Sequence, residues 1–279
     1  MARPESGQPW PSHILLLGCG NMAGAMLARW LDEGLPPERV TVVRPSGKAV
    51  APGVAVLTQL SAPVASGTLV LLGCKPQQLA TVSDQAAGYV GQGAVLMSIL
   101  AGVPIARIRA AFPDATSILR CMPNLPVRIG KGVSILKADD AASADDLALT
   151  TSLCASLGLV EWLDDEALFD AATALAGCGP AFVYRFIDAL AAAGAQLGLE
   201  PAAAARMALA TVEGAALSAA MADRPPADLA DAVASKGGMT REGLDVLDRA
   251  EGLQALVGET LRAARDRGAV LAALSGKAS

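Results

Sequence analysis

Short apolar runs alternate with helix-like segments over the first part of the chain. Strands are predicted at residues 13–17, 40–44, 68–73, 94–99, 117–121, 132–136 and 160–163. Helices are predicted between them at residues 22–34, 77–89, 104–112 and 143–157. Runs this apolar suit strands that are covered on both faces, so the alternation indicates an α/β fold with a doubly wound, mostly parallel sheet.

From about residue 164 the strand signals stop and the pattern becomes helical. Helices are predicted at residues 164–176, 180–198, 201–223, 226–234, 241–250 and 252–275. Ala and Leu occur nearly all round several of these segments, and a helix that is apolar on every side must be buried. The sequence therefore predicts two domains, an α/β domain at 1–164 and an all-helical domain at 165–279, with homodimerisation through the second.

Composition and charge exclude several classes of protein. Of the 279 residues, 53% are hydrophobic and 18% are charged, which indicates a folded chain and not a disordered one. The net charge is −5, so we expect no basic surface for nucleic acid. The five cysteines are dispersed without a C-x-x-C pair and His13 is the only histidine. Reduced thiols and no metal site are therefore expected.

Three long uncharged stretches, at residues 6–28, 49–74 and 85–106, raise the question of membrane insertion. Each is interrupted at short intervals by Gly, Pro or polar residues, whereas a spanning helix needs about 20 predominantly apolar residues in a row. The apolar run at 14–17 is too short for a secretory signal. We expect a cytoplasmic protein with no membrane partner.

A glycine-rich turn follows the first predicted strand and precedes a predicted helix. Residues 18–23 fit the G-x-G-x-x-A pattern of dinucleotide-binding domains, in the strand–turn–helix context that this pattern needs. Gly18 permits the tight turn, Gly20 the close approach of a pyrophosphate, and Ala23 the packing of helix on strand. We predict a Rossmann-like nucleotide site; a glycine turn without a ligand is the alternative.

The segment after the second predicted strand indicates which nucleotide binds. An NAD site carries Asp or Glu there, to bind the ribose 2′-hydroxyl. This chain has Arg44, Ser46 and Lys48, which would surround a 2′-phosphate with charge-assisted hydrogen bonds. The prediction is NADP as cofactor, with NADPH preferred over NADH. The alternative is that these are ordinary solvated loop residues.

Two further loops follow predicted strands, at the sheet edge where open α/β sheets bind ligands. Lys75 lies where the ribose or nicotinamide end of the cofactor should pass, or else is a surface lysine before a helix. Asn124 lies between Pro123 and Pro126. Its side chain would bind a ligand carboxamide or hold the loop through backbone hydrogen bonds.

A glycine turn also interrupts the helical half. Gly237 and Gly238 precede Thr240 and a helix predicted to begin near Arg241. The glycines let backbone N–H groups turn inward at a helix amino terminus, which suits a carboxylate. Thr240 is alternatively only the N-cap of that helix, and both interpretations can hold together.

The residues that are missing restrict the chemistry. His13 lies near the start of the first strand, so the histidine acid–base group of hydroxy-acid dehydrogenases is absent. Neither Tyr89 nor Tyr184 is followed four residues later by Lys, as in short-chain reductases. A cyclic imine fits, because its nitrogen protonates readily and the iminium accepts hydride directly, so that the enzyme supplies mainly positioning.

These motifs occur in the order seen in pyrroline-5-carboxylate reductases. The matching segments are the glycine loop, Lys75-Pro76, and residues 122–126, 177–183 and 235–240. The resemblance covers nearly the whole chain from about Ser12. It implies NAD(P)H-dependent reduction of 1-pyrroline-5-carboxylate to L-proline, the last step of proline biosynthesis, by a Rossmann domain and an intertwined helical dimerisation domain.

The resemblance also implies roles for individual residues. Those matching the cofactor site are Gly18, Gly20, Asn21, Met22, Lys75 and Asn124. Those matching the substrate loop are Ser235, Gly237, Gly238 and Thr240, with Thr240 as the catalytic residue.

The chain departs from the family pattern at four positions, Ala176, Cys178, Lys236 and Met239. Lys236 replaces Pro, while Ala176 and Cys178 replace Ser. Reduction of a related cyclic imine, such as 1-pyrroline-2-carboxylate or a six-membered homologue, therefore stays open as an alternative. A regulatory NADP-binding protein without turnover is another, against which the retained Thr240 and glycine pair argue.

Overall fold

One sheet forms the framework of the N-terminal part. In the computed structural model, which describes residues 10–91 and 93–276, the sheet has the order β3-β2-β1-β4-β5-β6-β7-β8. Every neighbouring pair is parallel except β6 and β7. The strands are β1 (His13–Leu17), β2 (Val40–Val43), β3 (Ala55–Leu57), β4 (Thr68–Leu72), β5 (Val95–Ser98), β6 (Ser117–Pro123), β7 (Gly132–Ala138) and β8 (Gly158–Trp162). The predicted α/β class is confirmed.

Helices cover both faces of this sheet. They are α1 (Asn21–Asp32), α2 (Leu79–Ala86), α3 (Ile105–Ala111) and α4 (Ala144–Ala155). Side chains alternate across β1, so Ile14 packs in the apolar core that includes α1 and α4, while Leu15 packs in the core that includes α2 and α3. Trp30 of α1 is buried and donates its indole N–H to the Leu153 carbonyl of α4 at 3.1 Å. The sheet is therefore doubly wound, as predicted.

Two features of the sheet were not specified by the sequence prediction. β3 was not predicted, because it has three residues and two of them are exposed, so no apolar run marks it. β7 runs antiparallel to β6, and its connection spans only residues 124–131. A parallel crossover needs a dozen residues or more, so a connection this short returns the chain in the opposite direction.

The chain divides into two compact units. One runs to Gly177 and takes in the chain again from Ala264, and the other comprises Cys178–Ala263. Helices after the sheet are α5 (Phe169–Ala172), α6 (Gly179–Gln196), α7 (Pro201–Met221), α8 (Pro226–Ala232), α9 (Met239–Leu247) and α10 (Leu253–Gly276).

The division lies later in the chain than the boundary predicted at 164/165. Phe169 of α5 is buried, and the Arg120 guanidinium of β6 lies 3.8 Å from the centre of its ring. The first helical turns after the sheet therefore pack with the sheet unit. The two-domain boundary itself stays a prediction.

Helices α6 and α7 leave much apolar surface exposed in the single chain. On α6, Val183, Phe186 and Leu190 share one face, and 46%, 46% and 40% of their surfaces are exposed. By length and composition alone, the helical stretch Glu166–Gln196 within the described residues is also apolar enough to cross a membrane, which the sequence analysis did not anticipate. Contiguous exposed apolar surface of this kind marks an interaction site.

We expect the helical unit to associate with a second copy of the chain, because burial of this face needs apolar side chains from outside the single chain. Light scattering at micromolar concentration without detergent should show a dimer or a larger species. A folded, active monomer, or a protein that stays dispersed only in detergent, would contradict this expectation.

Candidate functional site

A cleft of about 500 Å³ opens at the carboxyl ends of β1, β2 and β4. Five segments line it: the glycine turn after β1, the loop after β2, residues 58–60 after β3, the turn after β4, and α2. Five predicted cofactor residues are among its lining residues, namely Gly18, Gly20, Arg44, Ser46 and Lys75. The cleft lies at the sheet edge where the topology places ligands in open α/β sheets.

Close backbone contact shapes the floor of this cleft. Gly18 has φ +88° and donates its N–H to the Val43 carbonyl at 2.9 Å. A Cβ at Gly18 would lie 2.9 Å from the Cys74 nitrogen. Gly73, which was not singled out from the sequence, is equally restricted, because its Cβ would lie 2.6 Å from the Gly18 oxygen and 2.9 Å from the Ala23 Cβ. Only glycine fits at both positions without movement of the backbone.

The amino terminus of α1 follows the glycine turn directly. Its N-cap is Gly20, which makes no side-chain cap hydrogen bond. The first N–H groups of a helix have no partner within the helix, so those of α1 stay available to an anion. The Asn21 side chain is exposed and Met22 packs against the apolar core, and neither is among the residues that line the cleft. Their role toward phosphate stays a prediction.

Arg44 and Lys75 are the charged residues of the cleft. Among the described lining residues there is no Asp or Glu. The Arg44 guanidinium makes no ion pair or hydrogen bond within the described part of the chain, while its backbone N–H donates to Leu57 at 2.9 Å. A positive cleft without a carboxylate fits a phosphorylated ligand.

Two cysteines line the same cleft without adding negative charge. Burial raises the pKa of Cys74 to about 11, against the opposing effect of its own backbone hydrogen bond. Burial also raises the pKa of Cys19, and the nearby Arg44 charge partly opposes that rise. Both side chains are therefore neutral thiols at pH 7 and leave the positive charge of the cleft uncompensated.

Lys75, Ser46 and Lys48, which are predicted cofactor residues, lie in loops at the rim of the cleft. Lys75 is exposed, and its N–H donates to the Gln78 side-chain oxygen at 3.1 Å, while the Gln78 N–H donates to the Lys75 carbonyl at 2.8 Å. The Ser46 hydroxyl accepts from the Lys48 N–H at 3.4 Å. Lys48 is exposed and is not among the lining residues.

The Asn124 side chain forms its hydrogen bonds within the protein. Its side chain is buried, donates to the Ala176 carbonyl and accepts from the Val133 N–H, both at 2.9 Å. These bonds join the end of β6 to β7 and to the π-helical turn Thr173–Gly177. Asn124 therefore holds the loop through the backbone of distant segments and not through that of the loop itself, and a contact with cofactor stays a prediction.

Beneath this loop, a buried ion pair anchors β6. Arg120 donates to Glu166 at 2.7 Å, and only 6% of its side-chain surface is exposed. The same Glu166 oxygen accepts from the N–H of Ile105, the first residue of α3, at 2.9 Å. Arg120 is thereby paired and does not contribute a free charge to ligand binding.

The glycine turn in the helical unit begins α9 earlier than predicted. The helix starts at Met239 with Gly238 as its N-cap, so Thr240 is not the N-cap and the capping alternative is wrong. Gly237 has φ +69°, and Gly238 donates its N–H to Ser235 at 2.9 Å. This turn uses the Gly238 donor, so the groups open to a carboxylate are those of the first turn of α9. Thr240 itself is exposed.

Comparisons with known proteins agree with this arrangement. The family model described as pyrroline-5-carboxylate reductase dimerisation matches residues 166–271, and one described as NADP oxidoreductase, coenzyme F420-dependent, matches residues 13–102. The pyrroline-5-carboxylate reductase of Pseudomonas aeruginosa is 33% identical over 264 residues, covering 93% of this chain and 96% of the relative. That of Synechocystis sp. is 37% identical over 260 residues, covering 90% and 95%.

The chain belongs to the pyrroline-5-carboxylate reductase family. Solved structures of family members have the same fold along nearly their whole length. The pyrroline-5-carboxylate reductase of Coxiella burnetii matches with a TM-score of 0.85 and 29% identity, over 94% of this chain and 98% of that one. The Plasmodium falciparum pyrroline carboxylate reductase, solved with NADP bound, matches with a TM-score of 0.80 and 25% identity, over 93% and 98%.

The cleft of this reductase includes residues that sequence reasoning missed. The lining residues that were not predicted include polar side chains after β3, at Thr58 and Gln59, and just before or within α2, at Gln78, Thr81 and Gln85. No motif marks them. Gly73 could have been identified from the sequence, because a glycine at the end of a buried strand indicates that another stretch of backbone approaches closely there.

Replacement of Gly73 by Ala tests the contact at the floor of the cleft. We expect Gly73→Ala to lower the free energy of unfolding by about 1–3 kcal/mol, because the new methyl must displace the Gly18 carbonyl or Ala23. Urea denaturation measures the change. Gly88→Ala is the matched control, since nothing lies within 4 Å of its Cβ position, and it should leave stability nearly unchanged. Equal effects of the two substitutions would rule out the steric explanation.

Proposed function

We propose that this reductase converts 1-pyrroline-5-carboxylate to L-proline with NADPH as the reductant. The observation that carries the proposal is the positive cleft at the glycine turn, which has Arg44 and Lys75 and no carboxylate among its described lining residues. Family membership supports the imine as substrate. The test is oxidation of NADPH by the purified protein with a panel of cyclic imine carboxylates, and absence of turnover with every member would refute the proposal.

The cleft fits NADP in three respects. Gly18 and Gly73 let two stretches of backbone meet at the floor of the cleft, and at Gly20 a Cβ would meet nothing nearer than the Gly73 oxygen at 4.0 Å, so space remains where a pyrophosphate must approach. The uncapped amino terminus of α1 offers N–H groups to the phosphates. Arg44 and Ser46 lie after β2, where a 2′-phosphate would be bound, with Lys48 nearby. NADPH, when bound, supplies the hydride that reduces the C=N bond.

The substrate is assigned to the turn at 235–240. In this assignment the first-turn N–H groups of α9 bind the substrate carboxylate, with support from the positive end of the helix. The Thr240 hydroxyl donates a hydrogen bond to the lone pair of the unprotonated imine nitrogen. This nitrogen then gains a proton from water, and the C=N carbon gains the hydride, to give the product amine. Ser235, Gly237 and Gly238 hold this turn in shape, through the hydrogen bond from Gly238 to Ser235 and the positive φ of Gly237.

The departure from the family pattern at Met239 is a reason to test substrates other than 1-pyrroline-5-carboxylate. Met239 lies directly before Thr240, and 94% of its surface is exposed in the single chain. A flexible thioether beside the proposed substrate contacts alters the space available to the ring. The panel should therefore include 1-pyrroline-2-carboxylate and a six-membered imine, and the highest kcat/KM identifies the substrate.

The setting follows from the same proposal. We place this reductase in the cytoplasm, as a homo-oligomer. Neither nucleic acid nor membrane is expected as a partner, since the chain carries a net charge of −5 and the exposed apolar face is assigned to subunit contact.

The preference for NADPH is tested at Arg44. Loss of one charge-assisted contact to the 2′-phosphate costs about 1.5–3 kcal/mol, so Arg44→Ala should weaken NADPH binding roughly 10- to 100-fold and leave NADH nearly unchanged. Cofactor titration by fluorescence measures both. Arg39→Ala is the matched control, because Arg39 is exposed before the amino end of the same strand and is not among the lining residues. Similar losses of affinity for NADPH and NADH would show that Arg44 does not bind the 2′-phosphate.

The role of the Thr240 hydroxyl is tested by Thr240→Val, which keeps the shape of the side chain. A hydrogen bond that strengthens in the transition state would make the loss in kcat/KM on the order of 2–4 kcal/mol. The thermal midpoint should hardly move, since Gly238 and not Thr240 caps the helix. Thr240→Ser retains a hydroxyl and should recover most of the activity. Unchanged kinetics in the valine variant would exclude a catalytic role.

A further inference from the structure

An ion pair joins the two helices that flank the turn at 233–238. Asp231 is the next-to-last residue of α8, and Arg241 lies in the first turn of α9. The Arg241 guanidinium contacts the Asp231 carboxylate with an N–O distance of 3.0 Å. This contact spans the turn from one stem to the other, so it closes the segment that precedes Thr240.

The remaining nitrogens of Arg241 are bound to its own helix. Nε contacts Asp245 at 2.8 Å and a terminal nitrogen contacts Asp248 at 2.9 Å. Asp245 lies one turn along α9, and Asp248 is the C-cap residue. Because the guanidinium is planar and rigid, two bonds along α9 fix the direction in which the third nitrogen points. Arg241 is therefore held in place before it reaches α8.

The turn itself has little else to hold it. Ser235, Lys236 and Gly237 are exposed, and the described backbone hydrogen bond among residues 235–238 is the one from Gly238 to Ser235. The preceding residues of the turn, Val233 and Ala234, donate to the carbonyls of Ala230 and Asp231 in α8. Glycines lose more backbone freedom on ordering than any other residue. Helices as short as α8 and α9 are marginal by themselves. A contact between the stems therefore restricts the turn more than it would restrict a well-packed segment.

We propose that Arg241 is a positioning residue for the substrate turn and acts through its bond to Asp231; this inference rests on the proposed function of residues 235–240. By fixing α9 relative to α8, the pair sets the direction of the first-turn N–H groups and of the Thr240 hydroxyl. Its contribution concerns the geometry of the imine site and not the nucleotide cleft, whose lining residues all precede residue 87.

Two alanine variants separate this role from general loss of charge. Asp231→Ala removes the carboxylate that crosses the turn, and Asp245→Ala removes one that stays within α9. Both carboxylates contact Arg241, and both side chains are largely exposed. Alanine favours helix at both positions, so fraying of the helices does not explain a loss of order in either variant.

We expect Asp231→Ala to raise KM for the imine about two- to fivefold, the range that an exposed ion pair supports, with KM for NADPH unchanged. Asp245→Ala leaves the Arg241 contacts with Asp231 and Asp248 in place, so it should raise KM for the imine less than Asp231→Ala does and leave KM for NADPH unchanged. Hydrogen–deuterium exchange of peptides covering 233–240 should be faster in Asp231→Ala than in the wild type or in Asp245→Ala. The proposal would be overturned if Asp231→Ala raised KM for the imine and KM for NADPH equally. It would also be overturned if Asp231→Ala and Asp245→Ala changed KM for the imine and the exchange rate equally.

The exchange measurement also separates this inference from the proposed function. If the wild type does not reduce the imine, the proposed function fails on that result and exchange alone decides whether Asp231 orders the turn. If the wild type is active and exchange over 233–240 is the same in all three proteins, the positioning role fails and the proposed function stands.

Discussion

The candidate nucleotide cleft depends on the close approach of two stretches of backbone, the turn after β1 and the end of β4. Gly18 and Gly73 meet there with no space for a side chain on either. The contact brings the amino terminus of α1 to the edge of the sheet and sets the floor of the cleft. Packing behind it makes the geometry rigid, because Ala23, Leu16 and Leu71 belong to the same apolar core. A site of this kind is made by the framework and not by a mobile loop.

The charge of the residues that line the cleft then determines which ligands can bind to this framework. The thiols of Cys19 and Cys74 are kept protonated by burial, and the lining residues in the described part of the chain include no carboxylate. Arg44 extends from the end of β2 without an ion-pair partner among the described residues, so its charge is not already satisfied by the protein. By contrast, Arg120 is buried and forms an ion pair with Glu166. The two arginines illustrate the difference between a charge left for a ligand and one used for the fold.

The sequence predicts those features that depend on local pattern. The buried strands and α1 to α4 are marked by continuous apolar runs and helical periodicity, and the glycine turn by residues that only a tight turn requires. Features that depend on distant partners were not predictable. The bonds of Asn124 go to Val133 and Ala176, and nothing in the local sequence indicates either. The start of α9 was misplaced because Thr is a stronger capping signal than Gly, although here the turn closed by Gly238 begins the helix.

The path of the chain has a consequence for the order of folding. The helical unit Cys178–Ala263 is inserted between two segments of the sheet unit, since the chain returns to that unit from Ala264. In the returning segment the backbone of Gly268 lies close to the Asp170 carboxylate of α5. During synthesis the sheet unit therefore emerges early but gains its final contacts only after the inserted helices have been made. Closing this long insertion costs little more entropy than closing a shorter one. The insertion therefore delays folding of the sheet unit but hardly lowers its stability.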